Sequence, residues 1–194
     1  MIILGITGLI ASGKSFIAEI FASEGVAIFD ADKVVHQLYE DNEIINAIKV
    51  IVPNAVSNNQ LDRIKLSSYA FKSKNIITKL EQLIHPLVRK KLTEFLQQEK
   101  DKGINIVLLD VPLLYEGGLN KICQYVIYCT AKEKLIEARY LARKNSTKEK
   151  LGFILAKQNK LSKVNLADFV INTGKDNKKL IFEVKKIIKV IKNA

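Results

Sequence analysis

The chain has 194 residues, 48% of them apolar, and a formal net charge of +11, which is length enough for one substantial core or a core with an appended lobe. No run reaches the roughly 18 to 20 consecutive apolar residues of a membrane-spanning helix, and the apolar residues 1–11 lack the preceding Lys or Arg of a secretory signal, so a cytoplasmic protein with no membrane partner is expected. Nor does the charge read as a nucleic-acid surface: of the 31 basic residues only Arg63, Arg89, Arg139 and Arg143 are arginine, Trp is absent, and the lysines are dispersed along the chain.

Residues 2–6 are continuously apolar, as are 26–29, 125–129 and 169–171, and 104–109 are apolar apart from Asn105. Runs this short and unbroken suit the strands of a parallel sheet covered on both faces. They alternate with stretches of helical periodicity, which makes an α/β chain. A helix is expected over 13–23, with Phe16, Ile17, Ile20 and Phe21 on one face and Gly25 ending it. Between the first strand and this helix stands Gly8-Leu9-Ile10-Ala11-Ser12-Gly13-Lys14-Ser15, a full match to G-x-x-x-x-G-K-S in the strand-to-helix context that phosphate binding requires. Glycine lets backbone N–H groups turn inward around phosphates, and the helix start adds a positive dipole. Lys14 reaches the β- and γ-oxygens, and Ser15 supplies a hydroxyl ligand for Mg²⁺. The spacing of Gly5, Gly8 and Gly13 does not fit G-x-G-x-x-G, which disfavours hydride transfer. ATP and Mg²⁺ are therefore the expected cofactors, and an ATP-dependent kinase for a small molecule is the expected class.

The second strand runs into Asp30-Ala31-Asp32. Two carboxylates spaced by two in extended chain face one side, at the strand end where such sheets open onto ligand. One of them would orient or deprotonate an attacking hydroxyl; the alternative is that Asp32 caps a helix over 33–39. Residues 33–100 then show helical periodicity. Ile76, Ile77, Leu80, Leu83 and Ile84 mark one helix, and Pro86 opens another carrying Val88, Leu92, Phe95 and Leu96, which together suggest a helical substrate lobe. His85 would stand at the cap and Arg89 one turn on, both able to face an anion, although a His beside Pro is also a common structural element. The third strand ends in Leu108-Leu109-Asp110, where Asp110 would contact Mg²⁺ through water. Glu116, in the segment that follows, is either a ligand residue or a loop carboxylate. Over 132–163 the chain is charged and helical, suited to a lid in which Arg139 and Arg143, four apart, share a face and bring guanidinium groups onto transferring phosphates. Ion pairing with Glu137 or plain exposure is the alternative there. Leu180, Ile181, Val184, Ile187, Ile188 and Ile191 mark a last amphipathic helix. Cys123 and Cys129, without a C-x-x-C or a matching His, indicate neither a zinc site nor a disulfide framework.

Several of these segments, GITGLIASGKS, FDADKVVHQL, LDRIKLSSYAF with KLEQLIHPLVR, and DVPLLYEGGL, resemble the dephospho-CoA kinase family in order and spacing. Arg139, Arg143, Gln158, Lys163 and Ala167-Asp168 leading to Asn172 continue the pattern over almost the whole chain. The resemblance implies one domain: a five-stranded parallel P-loop core flanked by helices (about 1–32, 101–131 and 164–194), a helical coenzyme A lobe (about 33–100) and a helical lid (about 132–163). It implies ATP at Gly8, Ala11, Ser12, Gly13, Lys14, Ser15 and Phe16, and Mg²⁺ at Ser15 and Asp110. Lys14, Asp32, Arg139 and Arg143 become the catalytic residues, and Asp32, His85, Arg89, Leu113 and Glu116 those that bind dephospho-CoA. The implied reaction is phosphorylation of the ribose 3′-hydroxyl of dephospho-CoA by ATP, the final step of coenzyme A biosynthesis, by a monomer. The chain departs from the family pattern in three places: Ala11 stands where glycine is usual, Phe16 where a small hydroxyl residue is usual, and the Arg139 helix needs a two-residue shift.

Overall fold

The computed structural model describes residues 1–144, 146–158 and 164–193. The five apolar runs become strands β1 (Ile2–Gly8), β2 (Ala27–Asp30), β5 (Ile106–Asp110), β6 (Tyr125–Thr130) and β7 (Phe169–Asn172) of one sheet ordered β2-β5-β1-β6-β7. β1 pairs in parallel with β5 and with β6, and β6 in parallel with β7. β1 takes the central place because Leu4 to Gly8 are all buried, as are all five residues of β5. Helices α1 (Lys14–Ser23) and α8 (Asn177–Lys192) contribute to one core, where Ile17, Ile20 and Phe21 join Leu180, Val184 and Ile188 around Leu4, Ile6, Leu108 and Ile127. Each such side chain, fully buried, contributes roughly 1.5–3 kcal/mol. Phe16 departs from the expected buried face and is 37% exposed. The buried arc of α1 centres on Ile17 and Phe21, and one residue step of about 100° carries Phe16 to its margin.

By its contacts the chain divides into two compact units, Met1–Phe29 with Glu99–Ala194, and Asp30–Gln98. The first holds the sheet with α1, α8, α6 (Glu133–Leu141) and α7 (Lys148–Lys157). The charged helical segment expected over 132–163 contains two helices among its described residues, α6 and α7, and Thr147 caps α7 by accepting the Lys150 N–H. Lys163 lies outside the described residues.

The second unit contains α2 (Ala31–Leu38), α3 (Asn42–Ile51), strands β3 (Val56–Ser57) and β4 (Gln60–Leu61), α4 (Arg63–Lys72) and most of α5 (Lys74–Asp101). Its own core gathers Ile45, Ile48, Val52, Ala55, Val56, Leu66 and Leu80. Helical periodicity misses the hairpin. Strands of two residues are too short to alternate, and the turn rests on Asn58 and Asn59 at φ +50° and +56°, the two positive values of a type I′ turn. Pro86 does not open a helix, since α5 runs straight through it. An interior proline removes one hydrogen bond and costs about 3 kcal/mol, but Leu80, Ile84, Val88 and Leu92 are all buried. That unbroken i, i+4 stripe holds both sides of the proline in one helix.

Candidate functional site

β1 delivers the chain to Gly8 at the carboxyl edge of the sheet. Gly8 has φ +150°, and a Cβ built there would lie 2.2 Å from the Cys129 carbonyl oxygen and 2.9 Å from Ser12 Oγ, so only glycine fits. The turn closes as the Ser12 N–H donates to the Leu9 carbonyl at 3.1 Å. Ala11 adopts φ +56°, a left-handed conformation that costs an L-residue roughly 1–2 kcal/mol. Its buried methyl group packs with Leu9, Ala131, Ile136, Tyr140 and Leu151, which offsets part of that strain. Gly13, at φ +89°, stands at the N-cap of α1 and carries no side chain to satisfy the first-turn amides. Those N–H groups and the helix dipole are what an anion takes up. Ser12 Oγ is buried with no hydrogen-bond partner among the described residues, an arrangement that a phosphate oxygen would satisfy. The loop therefore fits a polyphosphate.

Two buried side chains from elsewhere hold this turn. Gln158, 8% exposed, accepts the Ile10 N–H at 2.8 Å through Oε1. Thr173, 3% exposed, donates its hydroxyl to the Ser12 carbonyl at 2.6 Å. Asp110 closes β5 in register with Ile6 and is 9% exposed. Beneath the loop, burial pushes the Cys129 thiol up to about 12, while the Lys14 charge draws it down and Asp110 raises it. Lys14 and Asp110 thus act on one buried sulfur. Past Asp110, Leu113 is 40% exposed and Glu116 is exposed, in a turn that closes as the Gly117 N–H donates to the Leu113 carbonyl at 2.9 Å.

The two arginines of the 132–163 segment part company. α6 ends at Leu141, so Arg143 lies beyond it, exposed, and the shared helical face expected from their spacing does not form. Arg139, in the last turn, directs its guanidinium to Thr173: Nη1 donates to Oγ1 at 2.9 Å and Nη2 to the carbonyl at 3.0 Å. Glu137 pairs instead with Lys148 at 2.8 Å.

In the second unit, the helix starts directly after β2. Asp30 caps α2 by accepting the Lys33 N–H at 2.9 Å, and Asp32 stands in the first turn. Two residues in a helix are about 200° apart, so the two carboxylates do not share the side that an extended chain would give them, and the capping role falls to Asp30 rather than Asp32. His85, which the continuous α5 leaves in mid-helix rather than at a cap, is exposed, as is Arg89. With Thr78, Glu81, Gln82 and Pro86 they line a groove of about 490 Å³. Arg63 is structural, donating to the His36 carbonyl at 3.1 Å. Asp168, from the C-terminal pattern, accepts the Val126 N–H at 2.7 Å and returns its own amide to the Val126 carbonyl at 2.9 Å, tying the starts of β6 and β7. Asn172 accepts the Gly174 N–H at 3.0 Å. Sequence reasoning missed Thr173; the available signal was a hydroxyl residue directly after a core strand and before a glycine.

A family profile described as dephospho-CoA kinase matches residues 2–178. The chain is 40% identical over 177 residues to a dephospho-CoA kinase of Bartonella quintana, covering 91% of each chain. It is 34% identical over 195 residues to one of Ehrlichia canis, covering all of this chain and 98% of the other. Among solved structures, a Thermus thermophilus protein superposes with a TM-score of 0.83 at 27% identity, over 97% of this chain and 96% of that one. A dephospho-CoA kinase from Campylobacter jejuni gives 0.69 at 26% identity, over the same shares. A shikimate kinase from Bacteroides thetaiotaomicron, at 13% identity and 0.59 over 98% of both chains, shares the fold.

Proposed function

The chain belongs to the dephospho-CoA kinase family, and from that premise we infer its chemistry: it is a kinase that moves the γ-phosphoryl group of ATP to the ribose 3′-hydroxyl of dephospho-coenzyme A, the final step of coenzyme A biosynthesis. The observation that carries the reading is the turn from Gly8 to Ser15, where a side chain on Gly8 would strike the Cys129 carbonyl and Ser12 Oγ, and where Ser12 Oγ is buried with no hydrogen-bond partner among the described residues. Loop amides, the α1 dipole and Lys14 take up the negative charge of the β- and γ-phosphates and hold the transferring group in line. Ser15 and Asp110 offer oxygen ligands of the kind Mg²⁺ prefers, an ion that binds through one or two protein oxygens plus substrate phosphates. When bound it neutralises charge on the phosphates.

Asp32 is assigned to orient the acceptor hydroxyl and receive its proton. The support is that the cap of α2 is made by Asp30, with Asp32 in the first turn directly after the carboxyl end of β2, the edge at which such sheets meet their ligands. His85 and Arg89 are assigned to the anionic part of dephospho-CoA, since both line the groove on α5, and the exposed Leu113 and Glu116 to the rest of it. Arg143 is the arginine assigned to the transferring phosphoryl group. The reading takes the enzyme to work as a cytoplasmic monomer; no helix among the described residues is long and apolar enough to cross a membrane.

The test is mass spectrometry of dephospho-CoA after incubation with the protein, ATP and Mg²⁺, with AMP, CMP and shikimate as parallel acceptors. Addition of one phosphate at the 3′ position, with ADP formed, is the expected result, and Lys14→Ala should abolish it. Faster consumption of ATP with another acceptor, or none with dephospho-CoA, overturns the assignment.

A further inference from the structure

Thr173 joins three segments that are far apart in sequence. It follows β7 directly, and its amide donates to the Thr130 carbonyl at 2.8 Å, which ties its backbone to the end of β6. Its hydroxyl lies between the Ser12 carbonyl at 2.6 Å and Arg139 Nη1 at 2.9 Å. A guanidinium only donates, so the single hydroxyl proton points at Ser12, and Arg139 supplies the bond that the hydroxyl oxygen accepts. The second Arg139 nitrogen holds the Thr173 carbonyl at 3.0 Å. The arrangement is close enough to Gly13 that a Cβ there would stand 3.0 Å from Thr173 Oγ1 and 3.2 Å from Arg139 Nη1.

We propose that Thr173, oriented by Arg139, is a positioning residue for phosphoryl transfer: it fixes the Ser12–Gly13 peptide so that its N–H, and not its carbonyl, is presented to the phosphates. A trans peptide carries C=O and N–H on opposite sides. The bond that draws the Ser12 oxygen to Thr173 therefore turns the Gly13 N–H the other way, and keeps a carbonyl lone pair from facing anionic oxygens. The guanidinium polarises the Thr173 hydroxyl, which strengthens its bond to Ser12. It also sets a positive charge beside the start of α1. Arg139 then acts through Thr173 on the loop, which separates its role from that of the exposed Arg143. The inference rests on the assignment of this loop to the phosphates of ATP.

Thr173→Val keeps the volume and the branched Cβ but removes the hydroxyl; Thr173→Ser restores it. Losing a charge-supported hydrogen bond that orients a binding amide should raise the KM for ATP about tenfold and lower kcat. The KM for dephospho-CoA should stay within twofold. Thr173→Ser should return both ATP parameters to within threefold of wild type. ADP affinity by calorimetry, with no acceptor present, should show the same order. If Thr173→Val binds ADP within twofold of wild type, or if Thr173→Ser is as impaired as the valine variant, the proposal is wrong. Wild type that binds ADP but leaves dephospho-CoA unmodified would remove the acceptor assignment, while the calorimetric comparison still decides on Thr173. Should the valine variant not fold, Arg139→Gln decides in its place: several-fold weaker ADP binding supports the proposal, and unchanged binding overturns it.

Discussion

Replacing Gly8 by alanine tests whether the backbone path of the loop, rather than its side chains alone, makes the nucleotide site. The added Cβ would lie 2.2 Å from the Cys129 carbonyl oxygen, about 1.3 Å inside the roughly 3.5 Å at which non-bonded contacts become favourable. Because Gly8 and Cys129 are register partners across β1 and β6, the clash can be relieved only by parting two central strands or by swinging the loop away. Overpacking of this kind costs typically about 1–3 kcal/mol, and forcing a side chain into so sparsely populated a φ adds roughly another 1–3 kcal/mol. Even the lower sum, about 2 kcal/mol, lowers the melting temperature by about 4–8 °C for a chain of this size. The second readout is nucleotide protection. ADP at one hundred times its Kd stabilises a folded protein by about 2.7 kcal/mol, a shift of about 5–10 °C in wild type. In Gly8→Ala that shift should fall below about 2 °C, since the amides that meet the phosphates are displaced with the turn. Differential scanning calorimetry with and without ADP reads both quantities on one preparation. A Gly8→Ala protein that melts with wild type and keeps the full ADP shift would refute the reasoning.

Asp30 and Asp32 should separate by readout. Asp30→Ala loses a cap worth about 1 kcal/mol and should lower the melting temperature by about 2–4 °C, whereas Asp32→Asn should lower kcat at least about 10²-fold with ATP affinity little changed; the reverse pattern in paired melting and kinetic assays would exchange their roles. Arg143→Ala should lower kcat about 10³-fold at saturating ATP and dephospho-CoA without moving the melting temperature, and near-normal turnover would make it a surface residue. Asp62 and Asp176 cap α4 and α8, and backbone N–H bonds from Lys65 and Lys179 respectively, the largest influence on each, hold both carboxyls below their ordinary value of 3.8. Depressed values stabilise the fold above that pH and lose the contribution as pH falls through them, so Asp62→Asn with Asp176→Asn, which cap without titrating, should flatten the acid limb of a urea-stability profile below about pH 4.

The sheet was legible because a strand buried on both faces, as β5 is along its whole length, has little but apolar residues to show, and even the edge strands β2 and β7 carry short apolar runs. The phosphate loop was legible for a different reason, since its glycines answer to backbone geometry: Gly8 and Gly13 occupy conformations that a side chain would spoil. What periodicity cannot show is the competition between a local rule and a longer pattern. Pro86 looked like a helix start on the local rule, and the buried stripe from Leu80 to Leu92 prevailed. At Asp30-Ala31-Asp32 the error ran the other way. A strand directly before the two carboxylates predicts an extended pair, yet Asp30 accepts the Lys33 N–H of the first turn of α2, and the chain is helical from Ala31, sooner than the same-side argument allows.

Thr173 was illegible for a reason that generalises. A single threonine carries no period, and its importance lies in where its proton goes, which depends on a loop 161 residues earlier in the chain. Position still constrains it. In an open parallel sheet the ligand lies beyond the carboxyl ends of the strands, and here the chain places Gly8 at the end of β1, Asp110 at the end of β5 and Thr173 one residue past β7. A polar side chain that follows a core strand and is nonetheless buried must be hydrogen-bonded to be tolerated. At a carboxyl edge the partner at hand is the backbone of the loop that meets the ligand. Thr173, at 3% exposure and bonded to the Ser12 carbonyl, meets that condition, while Asn172, on the same edge but exposed, accepts from its own turn, at Gly174. Burial at the strand end therefore separates the residue that shapes the site from the one that shapes only its own turn.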